Sequence, residues 1–228
     1  MKERPIIFTH NILRIIDGTK TQTRRTRGLN IINAHPDNWH YIGRAEDGSY
    51  IFRDILNRIT FRCPFGVPGD RLWVREAWQD YCPIWAGAWC GHGTKEGIAA
   101  DHRVIYRADN PESWIIKDTP EDAKRWGRTM AKDPISPPKR WRSSMLMPRW
   151  ASRITLEITG VRVERLQEMT MFDMDAEGTP WDPENGLSGD RSRLAWFREF
   201  WDSLNARRGH GWALNPWVWR IEFRRLPA

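Results

Sequence analysis

Apolar and polar residues alternate most cleanly in two stretches. Arg153-Ile154-Thr155-Leu156-Glu157-Ile158-Thr159 puts its aliphatic residues on every second position. Val161–Leu166 resumes the alternation after Gly160, where a bulge is expected. Near the end of the chain, Trp217-Val218-Trp219-Arg220-Ile221-Glu222-Phe223 predicts a strand with Trp217, Trp219, Ile221 and Phe223 on one face. Shorter strands are predicted elsewhere. Tyr41–Arg53 reads as a hairpin turning at Asp47-Gly48, Gly66–Glu76 as a Pro68-Gly69 turn feeding a strand, and residues 103–107 as another strand. Helical spacing is rarer. Residues 6–17 begin strand-like and continue as a short helix that Gly18 stops, with Thr9 or Asn11 as candidate caps. Thr170–Glu177 predicts a short helix in which Thr170 and Asp173 form a capping box. Ser192–Leu204 predicts an amphipathic helix with a core stripe of Leu194, Phe197, Trp201 and Leu204.

No strand–helix–strand alternation runs through the chain, so a parallel sheet is not expected. The pattern fits an α+β fold, a small and mostly antiparallel β-barrel with peripheral helices. We read residues 1–228 as one domain with a long irregular insertion at about 76–150. That stretch is rich in proline, tryptophan, lysine and arginine and too poor in aliphatic residues for a core of its own.

Composition narrows the function. No apolar run approaches the roughly 18 residues of a membrane span, and the first residues lack the apolar stretch of a signal peptide. The 3 cysteines are few and odd in number, as expected for a reducing cytoplasm. A net charge of +7 favours an anionic partner, of which nucleic acid is the commonest. Of the 15 tryptophans, Trp73, Trp78, Trp217 and Trp219 fall in strand-like sequence and are expected in a core. Trp85, Trp89, Trp114, Trp126 and Trp141 lie in irregular polar stretches, where an indole either pins a loop to the body or stacks on a base.

Candidate chemistry concentrates in Asp17-Gly18-Thr19-Lys20-Thr21-Gln22-Thr23-Arg24-Arg25, which groups an amine, hydroxyls and two guanidiniums. Such groups bind phosphate or a base, and a lysine of lowered pKa can activate a threonine hydroxyl. The same run also suits a solvated strand edge. Arg75 and Glu76 leave the Trp73 strand together, where Glu76 either reads a base edge or joins an ion pair. Lys139, Arg140, Arg142, Arg149 and Arg153, interleaved with Trp141 and Trp150, form the strongest basic–aromatic patch. Cys82, Cys90 and His92, with Cys63 and His102 outside them, match no familiar zinc spacing, so neither metal nor other cofactor is expected.

The Gly18–Arg25 segment resembles the glycine–lysine–threonine–x–threonine–x–arginine segment of ASCH-domain proteins. Pro68–Leu72, Ile154–Leu166 and Trp217–Phe223 are similar, in the same order, to that family's turn into a strand, its central strand pair and its closing strand. The long tryptophan-rich form, with Met147–Arg153, resembles members carried by bacteriophages and prophages, which would place the protein in a bacterial cytoplasm. The resemblance implies a PUA-like barrel handling RNA or modified nucleosides. One branch of the family removes the acetyl group from N4-acetylcytidine with a lysine, a threonine and a glutamate. Matched position by position, these are Lys20, Thr23 and Glu177, with Thr21, Arg24 and Arg25 beside them to hold substrate. Ribonuclease activity, a base- or strand-binding module without turnover, and a phage accessory protein that binds another protein are the alternatives.

Overall fold

The computed structural model describes residues 1–8, 10–81, 103–109, 141–182, 184, 186 and 189–227. The chain divides into two compact units. One comprises Met1–Ile6, His10–Val74 and Arg153–Ala228; the other comprises Ile7–Thr9 and Arg75–Ser152.

In chain order the strands are β1 (Glu3–Ile7), β2 (Gln22–Arg25), β3 (His40–Arg44), β4 (Tyr50–Arg53), β5 (Arg58–Phe61), β6 (Arg71–Arg75), β7 (Trp78–Tyr81), β8 (Arg103–Tyr106), β9 (Thr155–Arg165) and β10 (Trp217–Arg225). The α-helices are α1 (Ile12–Ile16), α2 (Asn30–Asn33), α3 (Met171–Ala176) and α4 (Asp190–Asn205). A five-stranded sheet has the order β1-β6-β9-β10-β2, and a second sheet has the order β3-β4-β5. The β6–β9, β9–β10, β10–β2, β3–β4 and β4–β5 pairings are all antiparallel. In the smaller unit, β7 and β8 form an antiparallel pair.

The longest ladder joins the two stretches of cleanest alternation. β10 pairs with β9 from Trp217↔Arg165 to Arg225↔Leu156, with one register shift between Glu222 and Phe223. Gly160 lies opposite Glu222 at that irregularity, and a Cβ there would stand 2.5 Å from Glu222 Oε2. That atom is the tip of the Glu222 side chain, which is 40% exposed and can swing aside, so the glycine marks the irregularity rather than a close approach of the two backbones.

The two faces of β10 bury different partners. On one face Trp217 packs edge-on against Phe52 at 5.1 Å between centroids, and Trp219 against Tyr50 at 4.8 Å. The three-stranded sheet thus covers this side with aromatic contacts. On the other face Val218 joins Leu166, Met169, Met174, Phe197 and Trp201 in a core under the helices. The result is helices, large sheet and small sheet in layers. Among the described residues the ladders close no barrel, contrary to the expectation from sequence. β1 and β2 end the large sheet, and the second sheet packs on its face rather than extending its hydrogen bonds.

Helix α4 also departs from expectation. Phe197 and Trp201 are buried, but Leu194 is 39% exposed and Leu204 37%. The buried line continues instead to Arg193, four residues before Phe197. Arg193 pairs with Asp175 and lies 5.4 Å from the Trp181 ring. A guanidinium with a carboxylate and an aromatic face at hand can take an inward position that apolar periodicity assigns to leucine.

Burial therefore predicts unequal costs along this helix. Phe197→Ala should destabilise the protein by about 3–5 kcal/mol and Leu194→Ala by less than about 1 kcal/mol, as read from urea unfolding. Equal losses would contradict this packing.

Candidate functional site

The site is assembled by local signals at both ends of α3. Thr170 caps the helix start, where the Thr170 hydroxyl accepts from the Asp173 N–H and the Asp173 carboxylate accepts from the Thr170 N–H. Gly178 stops the helix in the left-handed region at φ +79°. The Gly178 and Thr179 N–H groups then donate to Asp175 O and Met174 O, the two bonds of a glycine-terminated helix end. These two signals leave Glu177 as the C-cap just past the helix, one turn beyond Asp173 on the same side. A Cβ on Gly178 would stand 3.3 Å from Lys20 Cβ, so glycine also lets the lysine stem pass.

The Lys20 segment closes that helix end. The Thr21 N–H donates to Ala176 O at 2.8 Å. Lys20 Nζ donates to the Glu177 carbonyl and, at 2.8 Å, to Glu177 Oε2. A cation on the last carbonyls complements the negative end of the helix. Both side chains are buried, with 4% and 6% of their surface exposed. Burial pulls the Lys20 pKa below its ordinary value, with Arg25 and Arg24 adding to that effect, while the Glu177 carboxylate opposes it.

Arg24 is the hub of the surrounding ion pairs. Its guanidinium is fully buried and lies 2.6 Å from Glu164 Oε1, 3.4 Å from Asp173 Oδ2 and 3.4 Å from Glu177 Oε1. Arg220 reaches Asp173 at 2.9 Å and the Gln22 amide oxygen at 2.7 Å. Burial raises Glu164 despite the attraction of Arg24. Burial also acts to raise Asp173, but the hydrogen bonds from Thr170, the charge of Arg24 and the bond from Gln22 outweigh it, and its pKa falls.

Strand register sorts the rest of the segment. Arg24 lies opposite Arg220 and Gln22 opposite Glu222, so both face the helices. Thr23 lies opposite Ile221 and Arg25 opposite Trp219, on the aromatic face. Thr23 is buried, and among the described residues its hydroxyl makes no hydrogen bond. The structure thus joins Lys20 and Glu177 directly and leaves Thr23 on the other side of an edge strand. Arg24 is spent inside, while Thr21 is exposed at the surface.

The other candidate residues belong to the smaller unit, apart from Arg153. Arg75 donates to Met145 O at 3.2 Å, and Glu76 is buried with its N–H on the Met147 sulfur. Arg142 lies over the Trp78 ring at 5.0 Å, Trp141 is partly buried, and Arg149 is exposed. Lys139 and Arg140 lie outside the described residues, as do Cys82, Cys90, His92 and His102. Among the described residues no cluster of histidine, cysteine or carboxylate side chains could hold a metal ion. Sequence reasoning missed Glu164, Asp173 as an ion-pair partner, and Arg220. Each sits at a polar position of an otherwise buried pattern, a weak signal until three elements are brought together.

A lysine with a lowered folded pKa binds fewer protons folded than unfolded. Stability therefore rises with pH between that value and the ordinary one near 10.5. Glu177→Gln removes the one carboxylate that raises the lysine, so this alkaline rise should begin at lower pH. Breaking the buried pair should also cost about 3–5 kcal/mol near neutrality. Urea unfolding of both proteins across pH 7 to 10 checks it, and parallel stability curves would contradict it.

Comparison with family models, with curated proteins and with solved structures finds no match.

Proposed function

We propose that this is an ASCH-like protein directed at nucleic acid or modified nucleosides, and that it hydrolyses the amide of an N4-acylated cytosine. The observation that carries the reading is the buried Lys20–Glu177 contact at 2.8 Å, between groups 157 residues apart, with the lysine pKa lowered. A buried pair is costly and is weak evidence for stability. A perturbed lysine beside a carboxylate and an uncommitted hydroxyl is what acyl transfer needs.

In this reading, neutral Lys20 takes the proton of the Thr23 hydroxyl through one bridging water, since the two side chains do not touch, as the hydroxyl oxygen attacks the acyl carbon. The C–N bond then breaks, and the Lys20 ammonium returns the proton to the departing cytosine nitrogen. Water hydrolyses the resulting ester, releasing the acid and the free threonine. Glu177 holds Lys20 in place, and Arg24 holds Glu177. β2 is the last strand of its sheet. Lys20 and Thr23 are both buried, so turnover requires this end of the sheet to open for the substrate to reach them.

One observation favours a binding module without turnover. Both Glu177 oxygens already face cations, Lys20 on one and Arg24 on the other, so this carboxylate needs no substrate to be satisfied. The Lys20→Met variant separates the two readings.

With N4-acetylcytidine, alone and within a short RNA, we expect deacetylation detectable by mass spectrometry. Lys20→Met and Thr23→Ala should each lower kcat by about 10²–10⁴-fold with binding largely kept. An unchanged nucleoside and intact RNA after incubation with the native protein would sink the enzymatic reading. Loss of binding without any turnover to lose would favour the module.

A further inference from the structure

A cleft of about 570 Å³ opens where β2 ends, between the Thr26–Ala34 segment and the Arg208–His210 turn. Arg27 and Arg208 both line it, and neither has a carboxylate partner among the described residues. No acidic side chain lines the cleft, and Ala34 is its one aliphatic contribution. The contrast with Arg24 and Arg220 is plain, since those guanidiniums are consumed by Glu164 and Asp173 a few residues away.

The walls are built in. Leu29 and Ile32, both fully buried, anchor α2 beneath the cleft. The Asn33 amide is spent on both backbone groups of Trp217, at 2.9 and 2.7 Å. Gly209 turns the chain at φ +78°, so that Arg208 and His210 reach the same concavity. His210 Nδ1 is shielded and has no hydrogen-bond partner, and burial with the nearby Arg208 lowers its pKa, which leaves the ring neutral near pH 7.

We propose that this cleft binds the phosphate of a nucleotide, either as a free monophosphate or as a diester within a strand. Paired guanidiniums suit phosphate oxygens, and the Thr26 hydroxyl and Asn30 amide add neutral donors beside them. A docked peptide would require an apolar anchor pocket, which the lining does not provide. A cleft with two guanidiniums and no carboxylate makes the preferred ligand a nucleotide rather than a nucleoside. The inference goes beyond the hydrolase reading and stands without it, because it concerns binding alone.

The test measures binding of a fluorescent single-stranded RNA that carries no acyl group, so a failure of the hydrolase reading leaves it untouched. Native protein and an Arg27→Ala/Arg208→Ala variant are compared across a salt series. The variant should bind about tenfold more weakly or worse. Its slope of log K against log salt should be shallower by about 1.4, roughly 0.7 per lost phosphate contact. Lysine at both positions should restore most of the slope, since charge sets it. Cytidine 5′-monophosphate competing where cytidine does not would identify a monophosphate ligand; competition by RNA alone would identify the strand. An unchanged affinity and slope in the alanine variant would overturn the proposal, as would polyglutamate competing as well as RNA.

Discussion

The candidate site depends on charge neutralisation in a place that water does not reach. Lys20, Arg24 and Arg220 share a buried region with Glu164, Asp173 and Glu177, and the shortest contacts run at 2.6 to 2.9 Å. Each of these groups alone would be too costly to bury. Together they are tolerated because each carboxylate meets more than one donor and Arg24 spans all three. The arrangement constrains the chain: α3 cannot shift along β2 without leaving a charge unpaired. That rigidity is what a positioned amine requires, whether it moves a proton or holds a ligand.

A division of labour between the faces of two strands follows from it. Even-numbered residues of β10 and β2 face the helices, where Arg24 and Arg220 carry charge beside Gln22 and the apolar Val218, while Trp217, Trp219 and Ile221 carry bulk on the other face. Thr23 and Arg25 belong to the second set by register, although they sit in a polar segment. β2, the last strand of the sheet, is therefore where the two environments meet. Beyond that edge the chain enters the cleft flanked by Arg27 and Arg208. Buried cations that are satisfied and exposed cations that are not stand within a few residues of each other, and this contrast separates the positioning role of Arg24 from the ligand-facing role assigned to Arg208.

Much of the fold was legible because its signals are local. Alternation marked β9 and β10, and even the irregularity at Gly160 could be read from one residue interrupting a clean pattern. The capping box at Thr170 and the stop at Gly178 bounded α3 and so gave Glu177 its position along the chain. The α4 stripe was read less well, because apolar periodicity has no means of expecting Arg193 to lie inward in place of Leu194. The barrel failed for a different reason. Strand count and alternation are the same whether a second sheet continues the hydrogen bonds or packs face to face.

Periodicity and capping act over a few residues, so the order of amino acids alone sets where elements begin and end and which side chains share a face. It singled out Lys20 and Glu177 as a pair only through resemblance, because nothing local links positions 157 apart. Tertiary structure alone decided that Lys20 is buried rather than solvated and that Arg24 is consumed by three carboxylates. It likewise decided that Thr23 turns away from the lysine and that Arg27 and Arg208 open onto one cleft. The reason is physical. A charge or hydroxyl takes its character from the dielectric and partners around it, and those are set by segments that meet only when the chain has folded.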